Sequence, residues 1–264
     1  MNIKKITSKD NDIIKYTAKL VKNSSYRKSE ARFTAEGVRV CADGVLSGFS
    51  PEMFIFTNNA KTKYPEDFKR IAEKSKSLYE ISADVFSKIS DTKSPQGFFC
   101  VYNMLDKPKF PYRINKRGNY LALECVQDPS NVGTILRTAE ALGIEGIIMS
   151  GHCCDAYSPK VVRGSMGAVF RLPIMITEDF TSYISKLSES GVETFASVPS
   201  VDAESITDIK FDGGVMLIGN EGNGLSEKTI SVCKRKITIR MKGRAESLNA
   251  AAAGAVLIWE MMRG

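Results

Sequence analysis

The sequence predicts an α/β protein in two parts: a small basic unit followed by a larger unit with a mostly parallel sheet. Three observations carry this. Short apolar, β-branched runs alternate with segments of helical periodicity along the whole chain. One stretch, 106–118, has two prolines, five Lys or Arg and no apolar pattern, and reads as a linker. The charge is also unevenly divided. Residues 1–118 hold 23 Lys and Arg against 13 Asp and Glu, whereas residues 119–264 hold 14 against 17. The expected units are therefore 1–105 and 119–264, and the basic half is expected to meet a polyanion, RNA or DNA first.

In the first half, residues 3–22 carry apolar side chains at helical spacing, and 24–33 reads as a cation-rich turn. In that turn Arg27 and Arg32 are suited to hold phosphates, and Tyr26 or Phe33 to stack on a base, with Phe33 favoured as core. A helix is expected from Glu36 to Ser47, ended by Gly48 and Pro51. Strands follow at 53–57, 78–81 and 97–102, with helices at 65–76 and 84–89 between them. This alternation describes a small α/β domain of roughly 100 residues.

The second half begins with a strand at 120–126. A helix follows the Asp128-Pro129-Ser130-Asn131 turn and stops at Gly143. Further strands are expected at 146–150, 171–176, 193–198, 215–219 and 236–241, with helices starting at Ser158 and filling 179–190, 226–233 and 247–262. Strands alternating with helices predict a mostly parallel sheet covered on both faces. Such sheets bind ligands beyond the C-terminal ends of their strands. Two turns of small and amide-bearing residues fall there, Ile218 to Leu225 and Lys242 to Asn249, and suit a flat polar ligand held by backbone groups.

No apolar run approaches the roughly 18 residues of a membrane-spanning helix, and the N-terminal lysines precede no apolar core of a signal peptide. The six cysteines form no CxxC pair, and His152 is the single histidine. This predicts reduced thiols in a cytoplasm, no metal site, and no histidine-based triad unless His152 supplies it. The two common nucleotide-loop fingerprints are absent.

Four other motifs occur in one order: DPSNVGTILRTAEALG (128–143), SPKVVRGSMGAVF (158–170), LIGNEGNGLS (217–226) and IRMKGRAESLNAAAAGA (239–255). Together they closely resemble the SpoU, or TrmH-like, family of RNA ribose 2′-O-methyltransferases. YRKSEARFTAEGVRV (26–40) is similar to the substrate-binding domain often fused to that family, so the resemblance covers nearly the whole chain.

The resemblance implies an α/β catalytic domain whose C-terminal segment is threaded as a trefoil knot, a rare exception to unknotted topology. It implies S-adenosylmethionine as cofactor and a homodimer formed through the knot region. The backbone around Ile218, Gly219, Asn220, Gly222, Ile239, Met241 and Leu248 is expected to hold the cofactor. Asn131, Arg137, Glu221, Ser247 and Asn249 are expected to form the catalytic set. A guanidinium is a poor base, so Arg137 is expected to grip the phosphate beside the target ribose, with Glu221 orienting it or the RNA. Ser247 is also placed to cap the last helix, and Asn249 to bond a ribose or the cofactor. Arg163 is expected to touch RNA or a partner subunit.

Ribosomal RNA, from the large subunit first, is the expected substrate. Transfer RNA, or a non-catalytic role in ribosome assembly, is the alternative. In one place the chain departs from the family: Arg240 stands where a proline usually precedes the methionine.

Overall fold

The computed structural model describes residues 2–105 and 114–263, which fall into two compact units. The first contains β1 (Ile3–Ile6), α1 (Asp12–Lys22), α2 (Ser24–Glu30), β2 (Arg32–Glu36), α3 (Val38–Leu46), β3 (Met53–Thr57), α4 (Asn58–Lys63), α5 (Pro65–Lys74), β4 (Leu78–Ile81), α6 (Ala83–Phe86) and β5 (Phe98–Asn103). Its five-stranded sheet has the order β1-β4-β3-β5-β2. The first three run parallel, and β5 is antiparallel to both its neighbours.

Two of these strands differ from expectation. Residues 3–6 form an edge strand, not the start of a helix, because they pair in register with Leu78–Ile81. Residues 32–36 pair with 99–103, so the helix expected from Glu36 begins at Val38. Pairing between distant segments overrides local periodicity in both cases.

One face of the sheet buries Ile14, Leu20, Ile55, Phe86, Phe99 and Val101. On the other, Phe33 stacks near Tyr102 and Phe170, at 5.7 Å each. Phe170 belongs to Asp155–Arg171, a segment that joins the first unit and not the second. The reason is visible at both its ends: Asp155 is bound to Arg27 at 2.7 Å, and Phe170 is buried against Tyr102 at 5.0 Å. The segment carries α8 (Pro159–Gly164) and α9 (Ala168–Arg171). The expected boundary at 119 therefore leaves out one excursion of the chain. Part of the expected linker, 106–113, lies outside the described residues.

The second unit contains β6 (Asn119–Leu123), α7 (Pro129–Leu142), β7 (Gly146–Ser150), β8 (Ile174–Thr177), α10 (Phe180–Glu189), β9 (Thr194–Ser197), β10 (Glu204–Ser205), β11 (Gly214–Ile218), α11 (Glu227–Val232), β12 (Arg235–Thr238) and α12 (Ala250–Met262). Its seven strands are all parallel, in the order β10-β12-β9-β11-β6-β7-β8. The last two strands are each inserted between earlier ones, β11 between β6 and β9, β12 between β9 and β10. The C-terminal ends of β6, β9, β11 and β12 consequently open on one edge of the unit.

The helix α12 packs on α7. The small residues of 250–254 make this close: a Cβ at Gly254 would stand 3.2 Å from Ile135 Cγ1 and 3.3 Å from Ile218 Cδ1. A side chain there would need Ile135 and Ile218 to give way by a few tenths of an ångström.

Candidate active site

Beyond the C-terminal ends of β9, β11 and β12 lies a cavity of about 830 Å³. Three walls enclose it: residues 197–201 after β9, 218–225 after β11, and 238–248 after β12. All seven residues expected to hold a cofactor line it, namely Ile218, Gly219, Asn220, Gly222, Ile239, Met241 and Leu248. Parallel strands bring these distant segments to one edge, as the sequence order predicts.

The second wall is a tight loop built by its own amide. Asn220 Oδ1 accepts from the backbone N–H groups of Gly222 and Asn223 at 2.9 and 3.1 Å, and its Nδ2 donates to the Cys125 carbonyl at 2.8 Å. The backbones of Asn220 and Gly224 exchange hydrogen bonds of 3.0 Å. A Cβ on Gly219 would overlap Gly224 and the Leu225 nitrogen, so glycine is required there by the loop itself. The side chain of Asn220 is therefore committed to the loop, and what Asn220 offers the cavity is backbone.

Glu221 leaves this loop toward the start of α7. Its carboxylate accepts from the backbone N–H of Gln127 at 3.2 Å and of Asp128 at 3.0 Å, and from Asn131 Nδ2 at 2.9 Å. Burial raises its pKa, but these donors outweigh that and hold it below the usual carboxylate range. Asn131, itself buried, accepts through Oδ1 from Asn249 Nδ2 at 3.0 Å. Asn249 Oδ1 in turn caps α12, accepting from Ala251 and Ala252 N–H at 2.9 and 3.3 Å. Three of the five expected catalytic residues thus form one chain, Glu221–Asn131–Asn249. It joins the ends of two helices to the loop after β11.

The remaining two expected residues stand apart from that chain. Ser247 lines the cavity but caps nothing, because α12 starts at Ala250 with Asn249 as its N-cap. Arg137 is exposed on α7 and makes no hydrogen bond or ion pair among the described residues. It lies six residues after Asn131, so it projects roughly 120° away around the helix and about 9 Å along it. Glu221 orients Asn131 and the turn at 127–128, not Arg137.

Of the RNA contacts expected in the first unit, Arg27 needs correction and the others have partners within the unit. Arg27 is 4% exposed, and each of its three side-chain nitrogens has a partner. It bonds Asp155 Oδ2 through Nε and Nη2 at 2.9 and 2.7 Å, and the carbonyls of Leu20 and Val21 through Nη1. It is a buried structural tie with four of its five N–H groups engaged, and so is not presented to a phosphate. Arg32 bonds the Tyr16 hydroxyl at 3.0 Å and Asn103 Oδ1 at 3.3 Å. Arg163 pairs with Asp91 at 3.3 Å. Tyr26 lies under the Lys19 ammonium, 4.0 Å from its ring centre.

Two supports had no signal in the sequence. Cys125 adopts a left-handed backbone with φ 55°, held by its N–H bond to Ser150 Oγ at 2.9 Å. This kink turns the chain after β6 so that the N–H groups of 127 and 128 face Glu221. Glu124, also buried, accepts from Ser226 N–H and Oγ at 2.8 Å each and from Thr229 Oγ1 at 2.7 Å. It ties the end of β6 to the start of α11 and so fixes the far end of the glycine-rich loop.

A cavity of this size at the strand ends suits a nucleoside-bearing cofactor. Ile218, Leu225, Met241 and Leu248 supply apolar surface, and Glu227 and Glu246 supply negative charge beside it, which matches a cationic sulfonium and ammonium. Among the described residues no group of three or more His, Cys, Asp or Glu is placed to hold a metal ion.

This fold and site define a cofactor-dependent group transferase acting at the edge of a parallel sheet. The chain belongs to the SpoU rRNA methylase family, whose model matches residues 118–259. A second match, to the MRM3-like substrate binding domain, spans residues 11–100. The chain is 31% identical over 263 residues to an uncharacterised tRNA/rRNA methyltransferase of Synechocystis, covering 99% of this chain and 94% of that one. It is 26% identical to the 23S rRNA (guanosine(2553)-2′-O)-methyltransferase RlmP of Bacillus subtilis, covering 98% and 99%. The AdoMet-bound rRNA methyltransferase of Sinorhizobium meliloti superposes with a TM-score of 0.84 at 28% identity, over 99% of this chain and 98% of that one. The protein is an S-adenosylmethionine-dependent RNA ribose 2′-O-methyltransferase.

Proposed function

We propose that the protein methylates a ribose of ribosomal RNA, in the large subunit first, with the cavity at 197–201, 218–225 and 238–248 as the cofactor site. The observation that carries this is convergence: seven residues from two separate motifs surround one cavity, and the Glu221–Asn131–Asn249 chain lies beside it, sharing Glu221 with its wall. The similarity to a 23S rRNA 2′-O-methyltransferase over nearly the full length of both chains supports ribosomal RNA.

In this reading, bound S-adenosylmethionine supplies an electrophilic methyl group. The residues supply position and charge. Glu221 stays ionised and fixes the amide of Asn131. That amide fixes Asn249, and with it the start of α12 behind the cofactor wall. Ser247 presents a hydroxyl with no partner among the described residues at the cavity's edge, suited to the incoming 2′-hydroxyl. Arg137 grips the phosphate next to the target ribose from outside the chain.

The insertion of β12 between β9 and β10 supports a threaded, knotted C-terminus. Val256 and Trp259, 39% and 59% exposed on the outer side of α12, support a homodimer through that helix. The site of action is taken to be the cytoplasm, where ribosomal RNA is modified.

The test is methyl transfer from labelled cofactor to ribosomal and transfer RNA stripped of modifications, followed by mapping of the 2′-O-methyl position. A single modified ribose in large-subunit RNA is expected. Transfer to transfer RNA alone would move the substrate. Tight RNA binding without transfer would make the protein an assembly factor.

A further inference from the structure

The wall formed by residues 240–248 is unusual for a binding surface. It has no regular secondary structure, contains Gly243, and has no proline to stiffen it. Among the described residues, its backbone makes no hydrogen bond and none of its side chains joins an ion pair. A free nine-residue segment loses conformational entropy when it closes on a ligand.

One side chain is the exception. Arg240 donates through Nη1 to the Val201 carbonyl at 3.0 Å and through Nη2 to the Ala203 carbonyl at 3.1 Å. Val201 belongs to the opposite wall of the cavity, the loop that leaves β9. That loop is itself a tight turn, with Ser200 N–H on the Val198 carbonyl at 3.0 Å and Val198 N–H on the Ile237 carbonyl at 2.9 Å. The planar fork of the guanidinium spans two carbonyls two residues apart, a geometry that a single ammonium cannot reproduce. Among the described residues, these two bonds alone tie 240–248 to the rest of the unit between the end of β12 and the Asn249 cap.

We infer that Arg240 is a positioning residue for the cofactor. It clasps the loop after β9 to the loop after β12, so that both walls are set before the cofactor arrives. Pre-ordering a binding wall raises affinity by removing a cost of binding, without touching the reacting atoms. The inference rests on the cavity being the cofactor site. Its prediction is specific: Arg240 acts on cofactor affinity alone, leaving the rate of the bound complex and the affinity for RNA as they were.

The experiment uses the full chain with Arg240→Ala and Arg240→Lys. Cofactor affinity is measured by calorimetry, the kinetic constants by methyl transfer to ribosomal RNA, and backbone exchange by hydrogen–deuterium exchange of the cofactor-free protein. Arg240→Ala should weaken cofactor binding and raise its KM by about five- to fiftyfold. Its kcat should stay within about twofold, and its KM for RNA and unfolding midpoint should be unchanged. Exchange should accelerate in 198–203, where the Val198, Ser200 and Ala203 N–H groups are hydrogen-bonded. Arg240→Lys should fall between Arg240→Ala and the parent. Unchanged cofactor affinity in Arg240→Ala, or a fall in kcat with affinity intact, would overturn the inference. If the parent protein itself bound no cofactor, the cavity assignment would fall. The clasp would then stand or fall on exchange alone, and equal exchange in parent and Arg240→Ala would overturn it.

Discussion

The Asn131 amide donates to Glu221 Oε1 at 2.9 Å across 90 residues of sequence, and this contact sets the form of the candidate active site. A carboxylate that already accepts from two backbone N–H groups fixes which end of the amide faces it. Asn131 must turn its nitrogen to Glu221 and its oxygen to Asn249. The order of donors and acceptors along the chain is thereby determined without any ligand.

Glu221→Gln should disturb that order. A glutamine amide nitrogen would face the N–H groups of Gln127 and Asp128 or the Asn131 amide, so at least one donor loses its acceptor. A stability loss of about 1–2 kcal/mol is expected by chemical denaturation, with methyl transfer strongly reduced. The pH dependence has a definite sign. Glu221 has a lowered pKa in the fold, so its contribution is complete above the unfolded carboxylate value near pH ~4.3 and is lost as pH falls through the lower folded value. The gap between parent and Glu221→Gln should thus close in acid; a gap constant from neutral pH down to acid would contradict this role.

Asn249 has two functions that separate by substitution. Asn249→Ala removes the α12 cap and the donor to Asn131, and should cost about 1 kcal/mol together with activity. Asn249→Asp keeps an N-cap acceptor but sets a carboxylate opposite Asn131 Oδ1. Asn131 then cannot satisfy both the new carboxylate and Glu221 without exposing its oxygen to a negative charge. Asn249→Asp should keep the cap yet still lose stability by about 1–3 kcal/mol, because the buried Asn131 Oδ1 loses its donor, together with turnover; full turnover would show that the amide chain is not needed for transfer.

Arg137→Ala should lower turnover by on the order of a hundredfold or more, with cofactor affinity within about twofold of the parent. The reason is placement: Arg137 projects from α7 on a different side from Asn131, and it does not line the cofactor cavity. Arg137→Lys should recover little, since a point charge does not reproduce a two-point grip on phosphate. Lost cofactor binding in a folded Arg137→Ala protein would place this residue at the other ligand.

Positive charge available to RNA in the first unit lies on exposed side chains, most of them lysines, and not on Arg27. Lys22, Lys28, Lys88 and Lys93 are exposed and without an ion pair among the described residues. Changing all four to Gln should flatten the dependence of log RNA affinity on log salt, by about 0.7–0.9 for each phosphate no longer neutralised. An unchanged slope would mean that these lysines only solvate the surface. Excising residues 1–105 is a poorer test, because Asp155–Arg171 packs with them and would lose its core.

Trp259→Glu should convert the protein to a monomer in sedimentation velocity, with helicity retained, since the indole is 59% exposed on α12 and a charge there opposes burial in an interface. A parent protein that sediments as a monomer, or a Trp259→Glu dimer, would remove α12 as the dimer surface.

Much of this was legible in the sequence. Parallel strands ending in glycine-rich turns brought residues of 218–225 and 239–248 around one cavity, because side chains at strand ends are fixed by the period of the apolar runs. Gly219 was readable as a close approach, though the backbone it approaches is that of its own loop. The edge strand Ile3–Ile6 was not readable, since four residues with a helical spacing of apolar side chains become a strand only when Leu78–Ile81 is there to pair with them.

Local pattern and residue type were enough for the two-unit α/β organisation, the uneven charge and the identity of the residues around the cavity. How those residues are used depends on the folded arrangement. Arg27, an apparent phosphate ligand, is consumed by Asp155, which lies 128 positions away. Glu221 serves Asn131 and two backbone N–H groups, not an arginine. Arg240 clasps carbonyls 39 and 37 residues upstream. A hydrogen-bonding side chain takes the partner that folding brings within about 3 Å, and that partner is set by how the strands are ordered in the sheet, which no stretch of the chain specifies alone.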